Sequence, residues 1–215
     1  SGGGTYAAAE IGLEFVNASA TGVSTSSNAY PTAAIENLHN VVIASAGSLT
    51  ITANASTPVA SQLVMGETGQ TLAILDFAAG SAEAVNVSVI TITDTSSFSG
   101  SLSNIKLYDG LTLLGTISSF SSSDVATFNL ASDWTIAKNT TKSLTIKSDV
   151  SAYGSAVSGG SHTLSLASAA NVTTRGAQSG TDITETVTSA AGTAQTVYRT
   201  KVLVDKGSGS PSGAS

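Results

Sequence analysis

The sequence predicts an all-β chain folded as an antiparallel β-sandwich, and three observations lead to this prediction. Short apolar runs alternate with polar residues at period two, as in strands that are buried on one face only. Serine, threonine and β-branched residues dominate these runs, and turn-forming residues separate them. Only 10% of the 215 residues are charged, so the fold depends on apolar burial and hydrogen bonding more than on ion pairs.

The N-terminal segment allows two interpretations. At residues 6–15, three consecutive alanines followed by Glu10 favour a short helix. The same residues also fit a strand, because apolar side chains recur at every second position after Glu10. Both interpretations are kept for this segment, and the strand is preferred.

From residue 48 onward the alternation is regular and is clearest at residues 49–54 and 144–147. Further strands are predicted, in chain order, at residues 70–77, 84–93, 104–108, 111–117, 125–130, 163–166, 183–187 and 196–204. Their inward-facing side chains should meet in one core between two sheets. We expect this core to include Ile105, Leu107, Leu144 and Ile146.

Two of these strands have a further local feature. In residues 84–93 the apolar positions shift from Val85, Val87 and Val89 to Ile90 and Ile92, which predicts a β-bulge that bends the strand.

The second feature is the dipeptide Asp109-Gly110, which lies between two apolar segments. It predicts a tight hairpin over residues 105–114, because glycine accepts the positive φ of a type I′ turn. This is the strongest local signal in the chain.

Two pairs of segments resemble each other within the chain. Residues 12–22 resemble residues 163–176, and residues 48–58 resemble residues 200–211. The implied repeat, on the order of 150 residues, is longer than that of solenoids, so each repeat would be a whole domain. The alternative is chance similarity in a chain that is rich in serine, threonine and alanine.

The repeat predicts three parts. Residues 1–47 would be an N-terminal assembly segment or the end of a preceding module, residues 48–199 a complete β-sandwich, and residues 200–215 the start of a following strand or an assembly tail. Incomplete modules leave unpaired strand edges, which a neighbouring copy must cover. The chain lacks an initiating methionine and a signal peptide, so we expect it to be a processed product or a segment of something longer.

Several stretches carry a resemblance to a known family. They are residues 56–66 (STPVASQLVMG), 102–110 (LSNIKLYDG), 134–149 (WTIAKNTTKSLTIKSD), 197–201 (VYRTK) and 208–214 (SGSPSGA). In amino-acid sequence and in order along the chain, they resemble the tandem immunoglobulin-like β-sandwich modules of very large bacterial surface proteins, which belong to surface layers or filaments. The resemblance implies an immunoglobulin-like fold, a structural role and no catalytic residues.

The expected function is therefore that of an extracellular structural subunit of a surface filament or surface layer. Copies would assemble through β-strand contacts into a homopolymer at the cell surface, and no cofactor is expected. The alternative is an adhesin-type binding module that recognises a glycan or a protein through loops at one end of the sandwich. A structural subunit should polymerise, whereas an adhesin should be a stable monomer whose melting temperature rises with ligand.

Charge and composition exclude several partners. The net charge is −6, and the eight lysines and arginines are scattered, so no basic surface for nucleic acid is expected. No apolar run approaches the roughly 18 residues of a membrane span. Cysteine is absent, which removes disulfides and thiolate sites. The low charge and the many serines and threonines favour an extracellular location.

The sequence offers little that is typical of an enzyme. His39 and His162 are the two histidines, and neither lies in a metal-binding or triad spacing. Ser103 and Lys106 match an S-x-x-K pattern, but that chemistry places the two residues on a helix, whereas a strand is predicted here. We therefore expect a protein that is not an enzyme and has no catalytic residues.

Aspartates near strand ends are candidate calcium ligands, namely Asp94, Asp109, Asp124, Asp133, Asp149, Asp182 and Asp205. No D-x-D-x-D loop concentrates them, and turns select aspartate for local hydrogen bonds. No metal site is therefore predicted.

Two other kinds of candidate remain. Five N-x-S/T sequons are possible glycosylation sites, at Asn17, Asn54, Asn86, Asn139 and Asn171. Trp134, the one tryptophan, could stack on a sugar ring, but in a small β-sandwich a single tryptophan more often fills the core.

Overall fold

The structure is a computed structural model that describes residues 47–96 and 98–200, together with the backbone of 9–14, 20–21, 28–29 and 37–43. The chain divides into two compact units, Ser1–Ala46 and Gly47–Ser215. That the flanking residues belong to neighbouring modules stays a prediction. No helix in the described residues is long and apolar enough to cross a membrane.

The described residues of the first unit form two antiparallel pairs. Strand β1 (Ala9–Glu14) pairs with β4 (Asn37–Ile43), and β2 (Ala20–Thr21) pairs with β3 (Asn28–Ala29). The strand interpretation of residues 6–15 is thus correct for the part that the structure describes.

The second unit contains thirteen strands in its described residues. They are β5 (Leu49–Ala53), β6 (Ser61–Val64), β7 (Gln70–Ala79), β8 (Val85–Asp94), β9 (Leu102–Asp109), β10 (Thr112–Ser119), β11 (Val125–Ile136), β12 (Thr141–Val150), β13 (Ser161–His162), β14 (Leu164–Ser165), β15 (Val172–Gly176), β16 (Glu185–Thr188) and β17 (Gln195–Tyr198). Two single 3₁₀ turns, Ser99–Ser101 and Ala169–Asn171, are the helical segments of this part. Every strand predicted from residue 48 onward is present, although residues 201–204 of the last one lie outside the described residues.

These strands form a β-sandwich, as predicted. One sheet has six strands in the order β10-β9-β12-β7-β5-β16. Facing it are a sheet of β11, β8 and β14, in which β15 also pairs with β8, and a three-stranded sheet in the order β13-β17-β6. Two pairs are parallel, β5 with β16 and β6 with β17, so the six-stranded and three-stranded sheets are mixed, whereas the sheet that contains β8 is antiparallel.

The core lies between the sheets, where the alternating apolar positions meet. The four side chains expected there are fully buried, and they are Ile105, Leu107, Leu144 and Ile146. Their burial confirms that period two in the sequence marks the inward face of β9 and β12.

The bulge predicted in β8 is also confirmed. Val85 and Val87 are buried in the first half of the strand, and Ile90 and Ile92 are buried in the second half. Val89, expected on the same face as Val85 and Val87, is only half-buried, because the bulge precedes it. On β15, consecutive threonines pair with Val89 and Val87, which leaves Ser88 as the extra residue.

The predicted hairpin joins β9 to β10, but its turn differs from the predicted one. Asp109 pairs with Thr112, so the loop consists of Gly110 and Leu111 and not of Asp109 and Gly110. Gly110 has a φ of 58°, whereas Leu111 does not adopt a positive φ. This is the pattern of a type II′ turn, with glycine first, and not of type I′.

The internal similarity is only partly covered. Residues 12–14 lie in β1, whereas residues 163–176 include β14, the second 3₁₀ turn and β15. Residues 201–211 lie outside the described residues. The domain-sized repeat stays a prediction.

Replacing Ile146 with alanine tests the core. Ile146 is completely buried at the centre of β12, so Ile146→Ala should lower the free energy of unfolding by about 2–5 kcal/mol. The matched control is Leu111→Ala, because Leu111 is fully exposed at the hairpin tip and should change stability by less than about 0.5 kcal/mol. Chemical denaturation of both variants measures the difference, and equal losses would contradict the burial of β12.

Candidate functional site

The chain enters and leaves the second unit at opposite ends of the sandwich. At one end, the Ser48 carbonyl accepts a hydrogen bond from Gly80 N, beyond the end of β7. At the other end, Met65 N donates to the Tyr198 carbonyl, and Gly66 N donates to the Val150 carbonyl at the end of β12. Strands β7 and β12 have ten residues each, so these ends lie about 30 Å apart.

Glu83 organises the end at which the chain enters. Its carboxylate is fully buried and accepts hydrogen bonds from the backbone N–H groups of Gln178 and Ser179, each at 3.0 Å. The Ser179 hydroxyl donates a third, 2.8 Å long. A β-carbon on Gly176 would lie 2.2 Å from Glu83 Oε1, so the close approach of this loop requires glycine.

The negative charge of Glu83 is stabilised by N–H and O–H dipoles and not by a cation. No cation pairs with it among the described residues. Hydrogen bonds from the backbone and side chain of Ser179, and from the backbone of Gln178 and Gly47, lower the pKa of Glu83, although burial opposes them. The buried carboxylate therefore stays charged and ties the loop after β15 to Gly47, the first residue of the unit.

An apolar patch marks the end at which the chain leaves. Tyr153 is 69% exposed, and Val157 and Phe98 are about 40% exposed on the same group of loops. The guanidinium carbon of Arg199 lies 4.2 Å from the centre of the Tyr153 ring, which is a cation–π contact. Tyr153 thereby contacts the C-terminal end of the described residues, which extend to residue 200.

Trp134 lies in the core and not on the surface. It is 4% exposed, and its ring meets Phe77 edge to face, with 5.0 Å between the ring centres. Its Nε1 donates a 2.9 Å hydrogen bond to Asp109, which also pairs with Lys142 at 2.8 Å. The interpretation of Trp134 as a core residue is confirmed.

Asp109 is held in its charged form by these two partners. Burial alone would raise the pKa of Asp109, but the hydrogen bonds from Lys142 and Trp134 and the charge of Lys142 lower it overall. The pKa of Asp149 is also lowered, because its carboxylate accepts hydrogen bonds from Asn104 Nδ2 and from Gly69 N. Both acids stabilise strand ends.

His162, Asp94 and Ser96 form a buried polar cluster. His162 Nδ1 lies 2.7 Å from Asp94 Oδ2 and 3.0 Å from Ser96 Oγ, and Ser96 Oγ donates to the same Asp94 oxygen. Serine and aspartate thus meet the same ring nitrogen, whereas a serine triad needs them on opposite nitrogens. His162 Nε2 is buried without a hydrogen-bond partner. The cluster joins β13 to the end of β8. The other histidine, His39, lies in β4 of the first unit.

The acids considered for calcium do not converge. Among the described residues, no three His, Cys, Asp or Glu side chains lie close enough to share an ion. Asp182 pairs with Arg175 at 3.1 Å on the surface, and Asp133 is exposed in β11. Asp205 lies outside the described residues.

The sequons differ in accessibility. Asn139 is exposed in the turn between β11 and β12, where it has a φ of 58°. The other described sequon side chains make hydrogen bonds within the fold, and they are Asn54, Asn86 and Asn171. Asn17 lies outside the described residues. Asn139 is therefore the most open candidate acceptor, and glycosylation of any of the five stays a prediction.

The structural matches to known proteins include two distant ones, a glycoside hydrolase and a cohesin–dockerin complex. No family model and no curated protein matches the chain. A family 123 glycoside hydrolase from Clostridium perfringens is 11% identical over 71% of this chain and 27% of its own, with a TM-score of 0.31. A cohesin–dockerin complex from Clostridium thermocellum is 10% identical over 74% of this chain and 99% of the matched chain, with a TM-score of 0.25.

The first match corrects one expectation. The sequence led us to expect a protein that is not an enzyme, and this expectation is wrong as drawn, because a glycoside hydrolase is among the structures that the chain resembles. The chain spans about a quarter of that hydrolase, and so distant a likeness assigns no activity to it. Neither match tests the resemblance to tandem immunoglobulin-like surface modules, which stays a prediction.

Replacing Glu83 with glutamine tests the buried carboxylate. Glu83→Gln should lower the free energy of unfolding by about 2–4 kcal/mol at neutral pH, because charged hydrogen bonds are lost and an amide N–H₂ faces N–H donors. The pKa of Glu83 is lowered in the folded state, so its contribution is complete above about pH 4.3 and disappears as the pH falls through the folded-state pKa.

Denaturation at pH 7 and at several pH values below 4 measures this effect. The wild type and Glu83→Gln should converge in stability as the pH falls. The control is Asp182→Asn, which breaks an exposed pair with Arg175 and should cost less than about 1 kcal/mol. A constant difference between wild type and Glu83→Gln across the pH range would contradict the assigned role.

Proposed function

We propose that this chain is an extracellular structural subunit that assembles end to end into a surface filament or surface layer. The observation that carries the proposal is the separation of the two ends of the second unit. The chain enters beside Gly47 and Glu83 and leaves beyond Tyr198, at the far end of β7 and β12. A domain with ends on opposite sides fits into a row of copies, each of which follows the last.

The composition supports the same role. With 10% charged residues and many serines and threonines, the chain presents hydroxyl groups that form hydrogen bonds at any pH. The resemblance to tandem surface modules points the same way. The partners are further copies of the chain, and glycans are a second class of partner because the sequons and hydroxyl groups offer attachment and contact sites.

The apolar patch supports a contact at the end where the chain leaves. Tyr153, Val157 and Phe98 are exposed there together, and Arg199 stacks on Tyr153 immediately before the final fifteen residues. The final residues begin with K-V-L-V-D, an apolar run with two β-branched valines, which are common in strands. In the proposed assembly this run pairs with the next copy, which covers its valine and leucine side chains.

Charge substitutions in this run test the proposal. Val202→Lys combined with Val204→Lys places two charges on the apolar positions of the proposed assembly strand and should abolish filaments or sheets of purified protein. The matched control combines Ser208→Lys with Ser210→Lys, which adds the same charges to the serine- and glycine-rich tail and should assemble normally. Negative-stain microscopy and sedimentation measure the outcome.

Removal of residues 1–46 tests the opposite end in the same way and should also prevent assembly. Both altered proteins should keep the melting temperature of the wild type, because the sandwich core is unchanged. If both assembled like the wild type, end-to-end assembly would be wrong. If the wild type were a monomer whose melting temperature rose with a glycan or protein ligand, the adhesin alternative would replace the proposal.

A further inference from the structure

Strand β10 is an edge of the six-stranded sheet and carries no charge. Its backbone pairs with β9 on one side, and no described strand is hydrogen-bonded to its other side, although β11 of the facing sheet packs close to β10 where Phe128 meets Gly115. From residue 110 to residue 123 the chain contains neither a charged residue nor a proline. The eight residues Thr112–Ser119 therefore present a row of backbone N–H and C=O groups that can pair with another strand.

In the second unit, the other described edge strands have protection that β10 lacks, and β13 and β14 have only two residues each. Strand β16 has four residues and carries Glu185, and β6 has four residues. Strand β15 carries Arg175, and β11 is interrupted by residues 130–133, which include Asp133. Short length, charge and irregularity all hinder the pairing of an edge with another chain. Only a bulge at Leu114 interrupts β10.

Apolar side chains accompany this open edge. Leu111 is fully exposed, and Leu113 is 50% exposed. Thr116 and Ser118 are exposed further along the strand. Apart from the two leucines, the exposed side chains of β10 are small and uncharged, so another strand can approach closely without separating ion pairs.

We propose that β10 pairs antiparallel with β10 of a second copy, so that the two six-stranded sheets become one continuous sheet. A two-fold axis places the same strand on both sides of such a contact. Like charges directly opposite each other destabilise a strand pair, and β16 would bring Glu185 of both copies together. Strand β10 avoids this repulsion, although each copy carries a net charge of −6.

This contact deepens the proposed function but does not depend on the ends of the chain. End-to-end contacts alone give single rows of copies. Lateral β10 pairs would join two such rows side by side, which is the step from a filament to a ribbon or a layer. The lateral contact is therefore measurable in a protein whose end-to-end assembly has been blocked.

Disulfide cross-linking identifies the strand that occupies the edge. The chain contains no cysteine, so Leu113→Cys, Thr116→Cys and Ser118→Cys each introduce a single thiol on β10. A disulfide requires Cα atoms about 4.4–6.8 Å apart, so the position nearest the two-fold axis should cross-link most and the others less. Ser81→Cys, in the exposed loop between β7 and β8, is the control and should stay monomeric.

A charge on the edge gives a second readout. Ser118→Lys should weaken self-association measured by sedimentation about tenfold or more, whereas Ser81→Lys should associate like the wild type. Both substitutions are on exposed serines, so both variants should keep the melting temperature of the wild type. The measurements use the full chain with Val202→Lys and Val204→Lys also present, so that end-to-end assembly does not obscure the lateral contact.

The results separate the two proposals. Cross-linking between β10 cysteines would support the lateral contact. If Val202→Lys with Val204→Lys left filament formation unchanged, end-to-end assembly through residues 202–204 would be wrong, and the lateral contact would still stand. If the β10 cysteines cross-link no more than Ser81→Cys, and Ser118→Lys associates like the wild type, the lateral contact is wrong. It is also wrong if, in a chain without the two lysine substitutions, a β10 cysteine cross-links only to Val202→Cys of another copy.

Discussion

The packing of Trp134 between the two layers is the contact on which the second unit depends. Trp134 belongs to β11 in one sheet, its ring meets Phe77 of β7 in the opposite sheet, and its Nε1 donates to Asp109 at the end of β9. The irregularities in β8 and β11 lie next to this contact. Residues 130–133 interrupt β11 opposite the bulge of β8, and pairing resumes at Trp134 opposite Val87. Phe128 before the interruption, and Trp134 and Ile136 after it, are all buried in the core.

The scarcity of charge explains how the remaining acids are used. Buried or half-buried carboxylates are satisfied by N–H and O–H donors more than by cations, as for Glu83, or by one cation together with a core residue, as for Asp109. Such local hydrogen bonding fixes loops and strand ends in a chain with few ion pairs. The same scarcity leaves β10 without a charged residue, so the composition that stabilises the module also leaves one of its edges free to pair.

The alternation of apolar and polar residues predicted the strands, the bulge and the core, because a strand that is buried on one face needs an apolar residue at every second position. It did not predict strand neighbours: the parallel pairs β5–β16 and β6–β17 join segments more than 130 residues apart. The cluster of His162 and Asp94 and the loop that surrounds Glu83 were missed for the same reason. The hairpin turn differs by one residue, since Asp109 remains in the ladder, where it receives Trp134 Nε1 and Lys142.

Amide hydrogen exchange of the full chain at low and high protein concentration tests this account most directly. Amides in β7, β8 and β12, which surround the core, should exchange only through global unfolding at both concentrations. Those amides of β10 that point away from β9 should exchange quickly in dilute solution and become protected as the concentration rises, while the amides of β16 at the opposite edge should not change. Rapid exchange in β7 and β12, or exchange of the outward-pointing β10 amides that is independent of concentration, would contradict a stable sandwich with an open, self-pairing edge.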